Sequence, residues 1–202
     1  MRSKETAEKL KEHIEVVGEK IGLKTSVVIT DGTQPVGNGI GPVLEAIEVL
    51  HILRGDTKAP VDLKERALLL AGRLLIFSGK VAEGNGNETA RELLESGKVY
   101  KKFMAICKAQ GRFTESKIAA YSDKVRSENK DTLVRIDDRK IAKLAKLSGA
   151  PEFKAAGILL NVHLGETLKK GHLLYTVYAE AEGELIYAMD YLKAHKDVMT
   201  II

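Results

Sequence analysis

Residues Asp31–Leu50 read DGTQPVGNGIGPVLEAIEVL and carry the strongest structural signal in the chain. The run before them, Lys24–Thr30, is short and rich in β-branched residues, which predicts a buried strand. Residues 31–42 contain four glycines and two prolines, which the interior of a regular element does not accommodate. From Pro42 onward, apolar residues recur near helical spacing and predict a helix to about Leu53. A strand, a glycine-rich loop and a helix in succession form a common ligand-binding arrangement in α/β enzymes.

The loop Gly37–Gly41 has neither the dinucleotide-binding spacing of glycines nor the lysine of a P-loop. Its backbone N–H groups lie at a helix start and could hold an anion, although a tight strand-to-helix turn is the commoner role of such a loop. Glu45 and Glu48 follow with a spacing of three residues on one helix face. Two such carboxylates suit acid–base chemistry or a cation, and they also suit solvated acids that complement the helix dipole.

The stretch resembles a signature of the pyrimidine nucleoside phosphorylases, the family of thymidine phosphorylase and archaeal AMP phosphorylase. Pro42 stands where the common bacterial enzymes usually have asparagine, so the chain is closer to the archaeal-type branch. The substrate therefore stays open among thymidine, uridine and AMP. The residues that match the signature are Asp31, Gln34, Pro35, Val36, Gly37, Ile40, Gly41, Leu44, Glu45 and Glu48.

The resemblance continues along nearly the whole chain but covers only the back part of such an enzyme. It implies an α+β chain in two regions. Residues 1–112 would be a helix–strand–helices remnant of the α/β catalytic domain, and residues 113–202 a small α+β sandwich of the α/β-hammerhead type. The further matching segments are Gly84–Gly86, Ala90–Lys98, Phe103–Gly111, Val134–Arg139 and Gly149–Ile158.

The family reaction implied by the resemblance is the reversible phosphorolysis of a pyrimidine nucleoside, which converts thymidine and phosphate to thymine and deoxyribose 1-phosphate. In the family, the phosphate loop and the base-reading Arg and Lys precede the strand that matches Lys24–Thr30. No catalytic or substrate-binding residue can therefore be assigned here, and the chain alone is expected to be inactive. The full-length pentosyltransferase would be a homodimer. Two alternatives are an AMP phosphorylase fragment and a freestanding binding or regulatory module.

Some bacterial family members have a cation site built from two loop carbonyls and one glutamate. The matching positions are the carbonyls of Val36 and Gly39 and the side chain of Glu48. Oxygen ligands of this kind suit a hard cation such as potassium. The resemblance implies no other cofactor, because phosphate is a co-substrate.

Composition argues against several other classes of protein. The formal net charge is only +4, the basic residues alternate with acids, and aromatic residues make up 5% with no tryptophan, which disfavours nucleic-acid binding. Cys107 is the only cysteine and is predicted to be a small buried hydrophobe, so no disulfide is expected. The five histidines lack zinc-site spacing. No signal peptide or long apolar run is evident, which favours a cytoplasmic protein that does not bind a membrane.

Periodicity predicts the remaining elements. Val61–Phe77 is apolar almost all round, so it is expected to be covered on several sides. A further helix begins near Arg139, with Asp137 or Asp138 as its cap and Arg139 in an ion pair. The other predicted helices are Thr6–Ile21, Glu88–Glu95, Lys98–Ala109 and Glu182–His195. The other predicted strands are Lys117–Ala120, Thr132–Ile136, Gly157–His163 and His172–Ala179.

Overall fold

The computed structural model describes residues 3–202 and confirms a mixed α+β fold. Its helices are α1 (Lys4–Lys20), α2 (Pro42–Arg54), α3 (Val61–Phe77), α4 (Gly86–Glu95), α5 (Lys98–Ala109), α6 (Asp138–Leu147) and α7 (Glu182–Ala194), with a 3₁₀ turn at Lys196–Val198. Its strands are β1 (Gly39–Ile40), β2 (Tyr121–Arg126), β3 (Leu133–Ile136), β4 (Gly157–Leu160), β5 (Leu173–Ala179) and β6 (Met199–Ile201).

The helices begin and end where local chemistry requires. Pro42 occupies the first position of α2, where its missing N–H costs nothing, and Gly55 ends that helix in the left-handed conformation at φ 72°. Asp137 caps α6, because its Oδ1 accepts a hydrogen bond from Lys140 N at 3.2 Å. The cation that pairs with Asp137 is Arg135, whose Nη2 lies 2.9 Å from Oδ2, so the predicted pairing of Arg139 at this cap is wrong.

Two antiparallel sheets hold the strands, a four-stranded sheet in the order β1-β4-β5-β2 and a two-stranded sheet of β3 and β6. The predicted strand Lys117–Ala120 is wrong, because the chain pairs with β5 only from Tyr121 to Arg126. Most β2 side chains are exposed, so apolar alternation did not mark the strand. β1 and β6 were not predicted, since each has three residues or fewer.

The predicted strand Lys24–Thr30 is also wrong. Within residues 3–202 this run forms no ladder with another strand. A strand is stable only when neighbours accept and donate its hydrogen bonds, and the sequence around this run supplies none.

The main core lies in the C-terminal half, where α6 and α7 pack against the strands. Its most completely buried side chains include Leu133, Ile141, Leu144, Ile158, Val162, Leu168 and Val177. The hydrophobic core of the N-terminal half is less complete, since α5 has no fully buried residue and Leu74 of α3 is 65% exposed. β1 crosses from the first half into the sheet of the second, and the division at residue 112 stays a prediction.

Helices α3 and α4 approach each other through two glycines. A Cβ on Gly72 would lie 2.7 Å from Asn87 N, and a Cβ on Gly86 would overlap Gly72 O. Real side chains do not reach backbone atoms this closely, so larger residues would force the two helices apart.

We expect Gly86→Ala to lower the free energy of unfolding by about 1–3 kcal/mol, because the added methyl overpacks this contact. Gly183→Ala is the matched control, since Gly183 also lies in the first turn of a helix but has open space around it. The control should be neutral or stabilising by up to about 1 kcal/mol. Urea denaturation followed by circular dichroism measures both, and equal effects would contradict the close helix contact.

Candidate functional site

The loop before α2 is fastened to the C-terminal half by its own backbone and by one side chain. Gln34 Oε1 accepts a hydrogen bond from Leu164 N at 2.9 Å. Asn38 O accepts one from Leu160 N at 2.8 Å, and β1 then pairs with β4. Val43 N donates to Lys154 O at 3.1 Å. The signature residues therefore join two parts of the chain that are more than a hundred residues apart.

Two glycines allow the backbones to touch at this junction. Gly41 adopts φ 132° and Gly157 adopts φ 151°, a region that other residues rarely enter. A Cβ on Gly41 would overlap Ala156 O, and a Cβ on Gly157 would overlap Ile40 O. Gly41 is therefore required by the fold independently of any ligand.

Three carboxylates accept hydrogen bonds from the N–H groups of the loop. Asp62 Oδ2 lies 2.9 Å from Gly37 N, and Glu45 Oε1 lies 3.0 Å from Gly41 N. Both oxygens of Glu48 accept from Asn38 N, at 2.9 and 3.1 Å. These acids use the donors that an anion would need, and their charge repels phosphate. The geometry therefore argues against the loop Gly37–Gly41 as an anion site.

Glu48 is the only one of the three acids that is buried. Its side chain is buried, with 6% of the residue exposed, and burial raises its pKa above the ordinary value. Repulsion from Asp62 adds to this rise, whereas hydrogen bonds from the backbone of Gly39 and Asn38 oppose it. Asp62 was not singled out from the sequence, because it lies 25 residues from the glycine that it contacts.

The structure places Glu48 directly against the loop that carries the other two predicted cation ligands. A Cβ on Gly37 would lie 2.6 Å from Glu48 Oε2. Gly39 is next to the hydrogen-bonded Asn38 and opposite Leu159, a position whose carbonyl points away from the partner strand in an antiparallel ladder. A buried carboxylate beside an outward carbonyl fits the donor chemistry of potassium. The site of Val36, Gly39 and Glu48 stays a prediction.

Other reactive side chains have local structural roles. Within residues 3–202 no cluster of three or more His, Cys, Asp or Glu residues is suited to a metal ion. Cys107 is only half-buried on α5, so the prediction of a buried side chain is wrong in degree. His51 Nδ1 lies 2.8 Å from Asp56 Oδ2 at the end of α2.

The chain is similar over its entire length to the C-terminal part of larger bacterial proteins. It is 46% identical over 201 residues to the "Putative thymidine phosphorylase" of Legionella pneumophila (strain Corby), which covers 100% of this chain and 39% of that protein. The protein of the same name from Hahella chejuensis (strain KCTC 2396) is also 46% identical, with 40% of its length covered. The one from Parvibaculum lavamentivorans (strain DS-1 / DSM 13023 / NCIMB 13966) is 44% identical, again with 40% covered.

The chain matches the C-terminal part of thymidine phosphorylase-like proteins. It spans about two-fifths of the length of these relatives. No protein-family model matches it. In the part of the chain that the structure describes, none of the helices combines the length and apolar character that crossing a membrane requires.

The raised pKa of Glu48 gives the stability a defined pH dependence. The folded protein binds this proton more tightly than the unfolded chain does. Ionisation of Glu48 therefore lowers the free energy of unfolding. The loss occurs as pH rises from the ordinary pKa of 4.5 through the raised pKa of the folded state. Because Glu48→Gln cannot ionise, its stability relative to wild type should increase across that window. Urea denaturation from about pH 4 to pH 7 in potassium-free buffer measures the difference.

Glu65 provides a control of opposite sign. Its hydrogen bond from Arg91 lowers its pKa, so its ionised form favours the folded state. Glu65→Gln should therefore lose stability relative to wild type as pH rises from acid, by a small amount because this pair is largely exposed. A relative stability of Glu48→Gln that falls with rising pH would contradict the burial of an uncompensated carboxylate.

Proposed function

We propose that this chain is the C-terminal part of an enzyme that catalyses the reversible phosphorolysis of a pyrimidine nucleoside, with thymidine as its substrate. Phosphate attacks the anomeric carbon of the sugar, and the base departs with the bonding electron pair. The observation that carries the proposal is the 46% identity over the whole chain to the C-terminal region of a "Putative thymidine phosphorylase".

In this proposal the residues of this chain form a structural scaffold, and the remainder of the enzyme binds the phosphate. Phosphorolysis requires positive groups and N–H donors around the attacking phosphate. The loop Gly37–Gly41 offers the opposite, because its donors at Gly37, Asn38 and Gly41 already bind Asp62, Glu48 and Glu45. The function of these acids is then to fix the loop against α2 and α3, so that the junction with β4 has one geometry.

We further propose that the carbonyls of Val36 and Gly39 and the carboxylate of Glu48 hold a potassium ion, whose charge would offset that of the buried acid. Potassium chloride should raise the free energy of unfolding of wild type relative to tetramethylammonium chloride at equal ionic strength. Glu48→Gln should show no such difference, because it lacks the charged ligand. Equal salt effects on both proteins in urea denaturation would count against the site.

The complete enzyme is proposed to be a cytoplasmic homodimer that binds a small nucleoside and phosphate. Within this chain, residues 1–112 would complete the phosphorylase domain and residues 113–202 would form a separate C-terminal domain. We also propose that the enzyme belongs to the archaeal-type branch, as Pro42 indicates.

The reaction is tested with this chain and with a chimera in which the preceding part of the Legionella pneumophila (strain Corby) protein is joined ahead of it. Each is incubated with phosphate and thymidine, uridine or AMP, and the released base is separated by chromatography. We expect phosphate-dependent release of thymine by the chimera and no release by the chain alone, because the phosphate-binding groups lie in the added part.

Three other outcomes are informative. Base release by the 202-residue chain alone would overturn the assignment of catalysis to the other part. If the chimera releases adenine from AMP but no thymine from thymidine, the substrate is AMP and the proposal of thymidine is wrong. A folded chimera that is inactive on all three substrates would overturn the proposed reaction.

A further inference from the structure

A cavity of about 730 Å³ lies in the C-terminal half of the chain. One wall is the end of β2 with the bend that follows it, residues 126–129. The other wall is the end of α7 with the 3₁₀ turn and β6. None of the signature residues between Asp31 and Glu48 lines this cavity. Its volume falls in the range of about 300–1,000 Å³ that is usual for small-molecule sites.

The bend that forms one wall is fixed by a buried serine. The Ser127 hydroxyl donates a hydrogen bond to Asn129 O at 2.7 Å and accepts one from Asn129 N at 3.3 Å. Ser127 N donates to His172 O at 2.9 Å, and Ser127 O accepts from Gly171 N at 2.8 Å. This wall is therefore ordered without a ligand, which reduces the entropy that binding would cost.

The cavity contains one buried hydroxyl that has no hydrogen-bond partner. Tyr175 of β5 is 3% exposed, and its hydroxyl contacts no donor or acceptor in residues 3–202. Among these residues Glu184 Oε2 is the only fully enclosed side-chain oxygen or nitrogen without a partner, so the Tyr175 hydroxyl keeps access to the cavity. Burial raises the pKa of Tyr175, so this group is a neutral donor. A ligand acceptor would satisfy it.

Apolar side chains from four elements also line the cavity. They are Val125 of β2, Leu174 of β5, Leu192 of α7, and Met199 and Ile201 of β6. A ligand that fills the cavity therefore needs an apolar body, because apolar surface is stabilised by removal from water.

Two cations at the cavity lack a carboxylate partner. Arg126 Nη1 donates to Gly171 O at 2.9 Å, and neither Arg126 nor Lys196 forms an ion pair with a carboxylate that the structure describes. Lys193, the third cation of the lining, is already paired with Asp190 at 2.8 Å. Two unpaired positive charges beside an apolar interior suit a dianionic group such as a phosphate monoester.

Two acids also line the cavity, and they differ in their effect on an anion. The carboxylate of Asp197 forms an ion pair with Lys140, which offsets its charge and lowers its pKa. Glu128 is exposed and has no such pair in the described part of the chain, so its charge opposes a bound anion. Removing the charge of Glu128 should therefore strengthen binding.

We propose that this cavity binds a phosphate monoester that carries a ring, of the size of a nucleoside monophosphate. Arg126 and Lys196 would bind the phosphate, the ring would lie on the apolar lining, and the Tyr175 hydroxyl would donate to an acceptor on the ligand. The inference rests on this cavity and not on the proposed reaction. Its readout is binding by the 202-residue chain, which is independent of base release.

Isothermal titration calorimetry of the 202-residue chain with thymidine 5′-monophosphate and with AMP tests the proposal. At least one of the two should bind. The corresponding nucleoside, which lacks the phosphate, and inorganic phosphate, which lacks the ring, should each bind at least about 10-fold more weakly. Absence of binding by both nucleotides up to about 5 mM would overturn the proposal. An equal affinity for the nucleoside would also overturn it, since the cations would then have no role.

Matched variants of exposed residues locate the phosphate. Lys196→Gln should weaken nucleotide binding about 5- to 10-fold, because it removes a charge-assisted hydrogen bond. Lys170→Gln is the control, since Lys170 is also exposed but lies outside the lining. Glu128→Gln should strengthen binding about 2- to 5-fold, a gain that damage to the fold cannot produce. Equal effects of the two lysine variants, or weaker binding by Glu128→Gln, would contradict the site.

A tyrosine pair tests the buried donor. Tyr175→Phe should weaken nucleotide binding about 5-fold, because the ligand acceptor loses its hydrogen bond. Its thermal unfolding midpoint should not fall, since the hydroxyl has no protein partner to lose. Tyr178→Phe, on the same strand but outside the lining, should leave the affinity unchanged. Unchanged affinity in Tyr175→Phe would overturn the placement of the ligand against this hydroxyl.

Discussion

The contact of backbone with backbone at Gly41 and Gly157 is the constraint on which the rest of the structure depends. No side chain separates Ile40 from Gly157, so the short β1 can lie at hydrogen-bonding distance from β4. Because Pro42 begins α2 immediately afterwards, the position of that helix is set by the same contact. The first turn of α2 then brings Glu45 back to Gly41, which closes the junction on both sides.

The three acids that contact the loop differ in their surroundings. Glu45 and Asp62 lie in the first turns of α2 and α3, where the helix dipole favours negative charge. Glu48 lies one turn further along α2 and is buried, where it accepts hydrogen bonds from Asn38 and Gly39. A buried acid that receives N–H groups from a loop ties the loop to the helix at the cost of its own desolvation.

Helices were predicted from the sequence far better than strands. The bounds of α3 and α5 agree with the periodicity, because every hydrogen bond of a helix is made within its own segment. β1, β2 and β6 depend on partners distant in the sequence, and their own residues carry weak apolar patterns. At the site, the resemblance indicated Glu48 beside the loop, whereas Asp62 was missed because only the packing of α3 brings it to Gly37.

The two halves of the chain differ in how many of their packing and strand-pairing contacts they make internally. Most core side chains from Leu133 to Met199 meet partners encoded in the same region, and β1 and β2 supply the two edges of its four-stranded sheet. The residues of Lys24–Thr30 retain the local preference for an extended backbone, yet local preference cannot supply the second strand. A β-branched run can therefore lack a ladder partner among the described residues, because strand pairing depends on tertiary contacts as well as on local preference.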